Sequence, residues 1–284
     1  MYPKRGTSES LKRIWRLAPG FSSPLSRNPT AHRRAPIHKS LRPGGPAGDR
    51  GVTTVKLTYF GHSAFHVEVD GVGIAIDPWI TNPLSKTTLE DYLKNFKTDL
   101  VVITHAHEDH IGDALEIMRR TGAKFFSIHE IYVDLTQKGF QGIGANIGGP
   151  AKLDDVAPGL GIALTPATHS SYDKGVPTGA IIFKDGKALV YHAGDTGLFA
   201  EMQFIGELYA PKVALLPIGG HYTMDIEQAL LATKLLRPEV VVPMHYNTFP
   251  PIRADPNEFK QKVESAGLAK VRVMEPGETV TFEF

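Results

Sequence analysis

The stretch Thr104-His105-Ala106-His107-Glu108-Asp109-His110 sets three imidazoles and two carboxylates within six residues. It follows directly on Leu100–Ile103, an apolar run that reads as a short buried strand. Imidazole nitrogen and carboxylate oxygen are donors that suit zinc, manganese or iron. His105 and His107 alternate with Ala106, so an extended backbone aims both the same way. Asp109 and His110 enter the next turn, where they could reach a second ion. The bland alternative is a solvated polar loop, and the density of donors argues against it.

Three further segments repeat the placement. Ile162–Leu164 runs into Pro166-Ala167-Thr168-His169, Ala188–Tyr191 into His192-Ala193-Gly194-Asp195, and Val240–Val242 into Pro243-Met244-His245. Each is an apolar strand ending in a loop that bears His or Asp. Donors at several strand ends can converge on one rim of a sheet.

The elements around these segments follow from patterning. Val52–Phe60 and Ala64–Val69 read as strands, and Asp70-Gly71 and Asp185-Gly186 are hairpin turn signals. Ile111, Ala114, Leu115 and Met118 share one helix face that ends near Gly122. Phe199–Tyr209 reads as a helix stopped by Pro211. Asp225 with Gln228, and Asp255-Pro256-Asn257-Glu258, are capping boxes that start two more helices. Val271–Met274 and Thr279–Phe282 are expected as late strands. Strands alternating with helices point to an α/β chain: two mixed sheets with helices outside, in one domain over residues 52–284. A two-fold internal repeat is too weak in the sequence to assert.

Composition narrows the chemistry. The chain has 284 residues and no Cys, so disulfides, zinc–cysteine sites and thiol catalysis are excluded, while His numbers 12. A reducing compartment, with the cytoplasm as the default, fits a cysteine-free chain. No apolar run approaches the ~18 residues of a membrane span. The net charge of +1 hides a split, because residues 1–50 carry eleven Lys and Arg against two acids, Glu9 and Asp49. Residues 1–51 read as a disordered basic extension rich in Pro, Ser and Gly. It suits an upstream translated stretch, an Arg-rich targeting peptide or a basic arm. A short helix over Ser10–Leu17 is the one element its spacing allows.

The H-x-H-x-D-H run, with His169, the Ala193-Gly194-Asp195-Thr196 segment and His245, resembles the metallo-β-lactamase superfamily. More narrowly, Gly61-His62-Ser63-Ala64-Phe65, Ile76-Asp77-Pro78, Leu216-Pro217-Ile218-Gly219-Gly220 and Met244-His245-Tyr246-Asn247-Thr248 are similar to a branch of metal-dependent hydrolases. That branch is itself similar to ascorbate-6-phosphate lactonases and N-acylphosphatidylethanolamine phospholipase D. The resemblance implies a four-layer αβ/βα sandwich with a binuclear site. It carries His105, His107 and His169 to a first metal, Asp109, His110 and His245 to a second, and Asp195 to a bridge between them. Zinc is the first expectation, with manganese or iron also compatible. The absent Cys argues against β-lactam hydrolysis, and His107, where di-iron relatives use Glu, argues against oxygen reduction.

Two divalent ions, two Asp and a bridging hydroxide leave the implied site near +1. The expectation is a hydrolase whose metal-bound hydroxide attacks an ester, lactone or phosphodiester of a small or medium anionic substrate. Asp109 is expected to orient the nucleophile as well as bind metal, and His62 and His221 are candidate substrate contacts or supports. Asp77 is expected to accept from a ligand His and fix its tautomer. His192 is a rival ligand with a structural role at a strand end as the favoured reading. The Ser170–Gly175 stretch reads as a surface loop, with a lid as the alternative. A nuclease is a competing function, weakened because the domain is net negative, so a nucleic-acid partner is not expected. A metal-binding sensor without turnover is another. A homo-oligomer is compatible with the sequence.

Overall fold

The computed structural model describes residues 52–284; the basic extension and the expected Ser10–Leu17 helix lie outside the described residues. The first sheet contains β1 (Thr54–Gly61), β2 (Ala64–Val69), β3 (Val72–Ile76), β4 (Leu100–Ile103), β5 (Lys124–Ile128) and β6 (Gly142–Ala145). The second contains β7 (Ala151–Lys152), β8 (Leu160–Pro166), β9 (Thr178–Lys184), β10 (Lys187–His192), β11 (Val213–Pro217), β12 (Val240–Met244) and β13 (Lys270–Val271). The chain then returns to the first sheet as β14 (Thr279–Glu283). The orders are β14-β1-β2-β3-β4-β5-β6 and β13-β12-β11-β10-β9-β8-β7.

In the first sheet β14-β1-β2-β3 pair antiparallel and β3-β4-β5-β6 parallel, and in the second β7-β8-β9-β10 pair antiparallel and β10-β11-β12-β13 parallel. The shared plan is a structural duplication that the sequence shows only faintly. Both hairpins close on Asp-Gly turns with positive φ at both residues, Asp70-Gly71 and Asp185-Gly186, which matches the twist of the flanking strands. The parallel strands β4 and β11 are buried along their whole length, as strands covered on both faces must be. Side chains of both sheets join one continuous apolar core.

Helices cover the sheets. They are α1 (Leu89–Asn95), α2 (Glu108–Ile111), α3 (Ala114–Thr121), α4 (His129–Gln137), α5 (Met202–Tyr209), α6 (Ile226–Leu236) and α7 (Pro256–Ser265). Two caps form as the sequence indicates, with the Asp225 carboxylate accepting from Gln228 N–H at 2.9 Å and Asp255 from Asn257 N–H at 2.8 Å. Two elements differ from the sequence reading. The single helix expected through Ile111 and Met118 is broken into α2 and α3 at Gly112, whose φ is 44°. The break follows from packing, because a Cβ at Gly112 would lie 2.5 Å from the Trp79 Cα. The strand expected over Val271–Met274 covers only Lys270–Val271. Past Arg272, whose N–H reaches Val241 O, the chain turns at Glu275–Glu278 to cross to the first sheet.

Candidate metal centre

Every candidate ligand follows the C-terminal end of a strand, the usual place for a site in an α/β sheet. β4 delivers His105, His107, Asp109 and His110; β8 delivers His169; β10 delivers Asp195; β12 delivers His245. Backbone bonds tie these loops together. Gly197 N–H reaches Thr168 O at 3.0 Å, and Thr168 N–H reaches Thr196 Oγ1 at 2.9 Å, which joins the His169 and Asp195 loops. Ala106 N–H donates to Ser171 Oγ at 3.1 Å, and His245 N–H to His62 O at 2.7 Å.

The donors fall into two adjoining groups. His105, His107, His169 and Asp195 form one, and His62, Asp109, His110 and His245 form the other, each with its donor atoms within 4.8 Å of one another. Asp195 joins them. Its Oδ2 lies 3.4 Å from His169 Nε2, 4.0 Å from His105 Nε2 and 3.1 Å from His245 Nε2, while Oδ1 lies 3.1 Å from His110 Nε2. The seven residues carried over from the sequence therefore meet in space.

Hydrogen bonding decides which ring nitrogens are free. Asp77 is fully buried, and its Oδ1 accepts from Thr104 N–H at 2.8 Å. Its Oδ2 accepts from Thr104 Oγ1 and from His110 Nδ1, each at 2.6 Å. A carboxylate only accepts, so His110 carries a proton on Nδ1, and Nε2 is the atom left to face Asp195. Thr104 has spent its one proton on Asp77, so its oxygen accepts from His105 Nδ1–H at 3.0 Å. That frees His105 Nε2. His107 Nε2 pairs with Ser170 Oγ at 3.3 Å, where the hydroxyl can donate or accept. His105 Nε2 and His107 Nδ1 face each other at 3.1 Å.

That separation suits His107 Nδ1–H donating to His105 Nε2, and equally two nitrogens directed at one ion. Ligand atoms of a tetrahedral zinc at 2.0–2.1 Å are separated by about 3.3 Å. In addition, His110 Nε2 and Asp195 Oδ1 are buried without a hydrogen-bond partner. The donor set thus fits divalent ions held by His and carboxylate.

Electrostatics follow the same plan. Burial lowers the pKa of His105, His107 and His169, which keeps them neutral as ligands must be. Burial also opposes charge on His110, but the facing Asp195 and Asp77 carboxylates overcome it and hold its pKa well above the ordinary value. Asp195 is the converse: burial pushes its carboxyl up, and His110 and His245 bring it well below the usual range.

His62 and His221 diverge. His62 is fully buried behind the ligands, with its ring on Asp109 Oδ2 at 2.9 Å and Thr248 Oγ1 at 2.8 Å. Burial lowers its pKa to about 4 despite the Asp109 hydrogen bond, so Nε2–H donates to Asp109 and Nδ1 accepts from Thr248. His221 is exposed and sits edge-on to Tyr222, with ring centroids 4.4 Å apart. It does not line the cleft, whereas Tyr222 does. Positive φ at Gly220 and His221 turns the chain so that the next side chain faces inward. His192 is a structural residue, its Nε2–H donating to Ser63 O at 2.9 Å and its Nδ1 accepting from Gly194 N–H at 3.1 Å. Of the other histidines, His66 is buried and bonded to Lys97 O, and His129 is exposed at the start of α4.

The groups open into a cleft of about 600 Å³. Sequence reasoning missed its aromatic lining: Trp79, Tyr172, Tyr222 and Phe249. Among the described residues, no Lys or Arg lines the cleft.

Two mixed sheets with a His/Asp cluster across their strand ends define a class, and residues 56–245 match the model of the β-lactamase superfamily domain. A UPF0173 metal-dependent hydrolase of Staphylothermus marinus is 52% identical over 232 residues, covering 80% of this chain and 98% of the relative. The chain belongs to the β-lactamase superfamily and, within it, to the UPF0173 metal-dependent hydrolases. Among solved structures, isothiocyanate hydrolase from Delia radicum gut bacteria aligns with a TM-score of 0.65 at 20% identity, covering 81% of this chain and 100% of that one. The metallo-β-lactamase fold protein YhfI of Bacillus subtilis aligns with a TM-score of 0.62 at 14% identity, with the same coverage. Both share the fold. No helix among the described residues is long and apolar enough to cross a membrane.

Proposed function

We propose that this metal-dependent hydrolase works with two divalent ions, zinc in the first instance, and cleaves an ester, lactone or phosphodiester of a small molecule. The observation that carries the reading is Asp195, whose two oxygens lie between two groups of imidazoles with free ring nitrogens. His105, His107 and His169 would hold one ion, Asp109, His110 and His245 the other, and Asp195 would bridge. Bound there, the ions supply an acidified water and a polarised electrophile.

The chain's own residues do the rest. Asp77 and Thr104 lock the tautomers of His110 and His105, and Ser170 steadies the His107 ring through Nε2. His62 Nε2–H on Asp109 Oδ2 fixes the carboxylate that orients the attacking water. The same His62 accepts His245 N–H on its carbonyl, so one buried residue sets two ligands of the second ion. With ions held by these residues, the site would favour an oxygen that gains negative charge. A cysteine-free chain suits a reducing compartment, and we assign the protein to the cytoplasm.

The test is chelation, metal analysis and reactivation. The protein as purified is expected to hold about two ions per chain and to turn over at least one generic lactone, ester, thioester or phosphodiester. Chelation should abolish turnover and added metal restore it, and a His105→Ala, His107→Ala variant should bind less metal and remain inactive. Full turnover without metal would overturn the reading.

A further inference from the structure

We propose that the substrate is gripped through an uncharged aromatic or alkyl group, and that Tyr172 and Tyr222, with Trp79 and Phe249, form the subsite that holds it. The proposal rests on the hydrolase reading and names the substrate class for the same cleft. Apart from the ligands, the cleft is lined by these four rings, Glu108 and Ser170. Sites that select a carboxylate or phosphate on the non-reacting part of a ligand present Arg or Lys to it. Here the remote end of an anionic substrate would meet rings and the carboxylate of Glu108. A volume of about 600 Å³ lies within the range of small-molecule sites, which are mainly apolar with few polar groups.

The rings are presented and held. Tyr172 is 67% exposed and Tyr222 is 54% exposed, a placement of large aromatics that the core does not explain. Tyr172 takes a φ of 48°, a left-handed conformation that a bulky residue adopts only where its surroundings impose it. Its loop is fastened by Ser171 to Ala106 and by Lys174 to Asp134 at 2.8 Å. Tyr222 follows two left-handed residues, Gly220 and His221, and its N–H closes a tight turn onto Gly220 O at 2.7 Å. Trp79 stacks on Phe249 with centroids 6.1 Å apart and backs onto Gly112. The rings also flank both ligand groups, with Tyr172 edge-on to His107 at 4.7 Å and Trp79 edge-on to His62 at 5.4 Å. An aryl or alkyl group among them sits beside the place where the bond breaks. For an ester, water's oxygen bonds the acyl carbon, the carbon–alkoxy oxygen bond breaks, and the departing alkoxide takes up a proton.

The experiment uses the full metal-loaded chain with Trp15→Phe, which leaves Trp79 as the sole tryptophan of the two in the sequence. Three methyl esters are compared by acid release: methyl phenylacetate, methyl propionate and monomethyl succinate. Two non-hydrolysable ketones, phenylacetone and levulinate, are titrated by Trp79 fluorescence. The expected results are at least a tenfold advantage in kcat/KM for methyl phenylacetate over monomethyl succinate, and tighter binding of phenylacetone than levulinate. Replacing Tyr172→Ala and Tyr222→Ala together should raise KM and the phenylacetone Kd about tenfold, with kcat and metal content unchanged. Levulinate binding at least as tightly as phenylacetone, or a double variant that binds phenylacetone normally, overturns the proposal. Selective phenylacetone binding without hydrolysis of any ester refutes ester cleavage and upholds the subsite. Metal-dependent hydrolysis that favours monomethyl succinate does the reverse.

Discussion

Replacing Asp77 by Asn changes one oxygen to nitrogen in a buried residue that does not line the cleft. Asp77 uses both oxygens as acceptors, for Thr104 N–H, Thr104 Oγ1–H and His110 Nδ1–H. An amide has one acceptor end. The backbone N–H of Thr104 cannot change sign, so the Asn oxygen stays with it and the NH2 faces Thr104 Oγ1 and His110 Nδ1. His110 must then accept on Nδ1 and carry its proton on Nε2, the atom aimed at Asp195. The second ion loses a ligand unless the strained tautomer is restored. Loss of such an outer partner costs about 10–100-fold in metal affinity. The fold should survive, because exchanging one charge-assisted bond for a poorer contact costs about 2–4 kcal/mol against a total of roughly 5–15. Asn also tolerates the left-handed φ of 44° at this position. The assay is metal content after dialysis at buffered free zinc, beside a thermal melt. Content near one ion per chain in a folded Asp77→Asn protein is the expected result. Wild-type content at limiting zinc would refute the tautomer argument.

Two other perturbations test the scaffold. Burial lowers the pKa of His66, whose Nε2–H donates to Lys97 O, and of His192. Between the lowered folded value and the unfolded value near 6.5 the unfolded chain binds more protons, so stability rises with pH across that window and is lost as pH falls through it. Melting temperatures of the metal-loaded protein should drop below pH 6.5, and His66→Gln should flatten the slope; an unchanged slope would count against a neutral buried His66. Gly112→Ala combines a positive φ with a Cβ 2.5 Å from the Trp79 backbone, and urea unfolding should show a loss of about 2–4 kcal/mol.

The candidate ligand set was legible because metal chemistry restricts residue type and because each donor follows an apolar strand. Asp77 was singled out through the family resemblance, since an Asp-Pro pair ending a strand also suits a turn or cap. The stretch from β5 to β6 was less so. β6 reads Gly-Ile-Gly-Ala, and its glycines are required by close packing, Gly142 on the Phe125 ring and Gly144 on Tyr132, rather than by any periodic pattern. The aromatic cleft was hidden for another cause. Tyr172, Tyr222 and Phe249 come from separate loops, and whether a loop side chain faces in or out depends on one or two backbone angles. At Gly220-His221-Tyr222 those angles point Tyr222, rather than His221, into the cleft. The duplication of the two sheets left little trace in sequence, since hydrogen-bond pairing constrains register and burial more than residue identity.

The measurement closest to the central claim is an anomalous-scattering map of the zinc-loaded protein. Two peaks are expected, one among His105, His107 and His169 and one among Asp109, His110 and His245, with Asp195 between them. A single peak, or a peak away from Asp195, would contradict the shared two-ion centre.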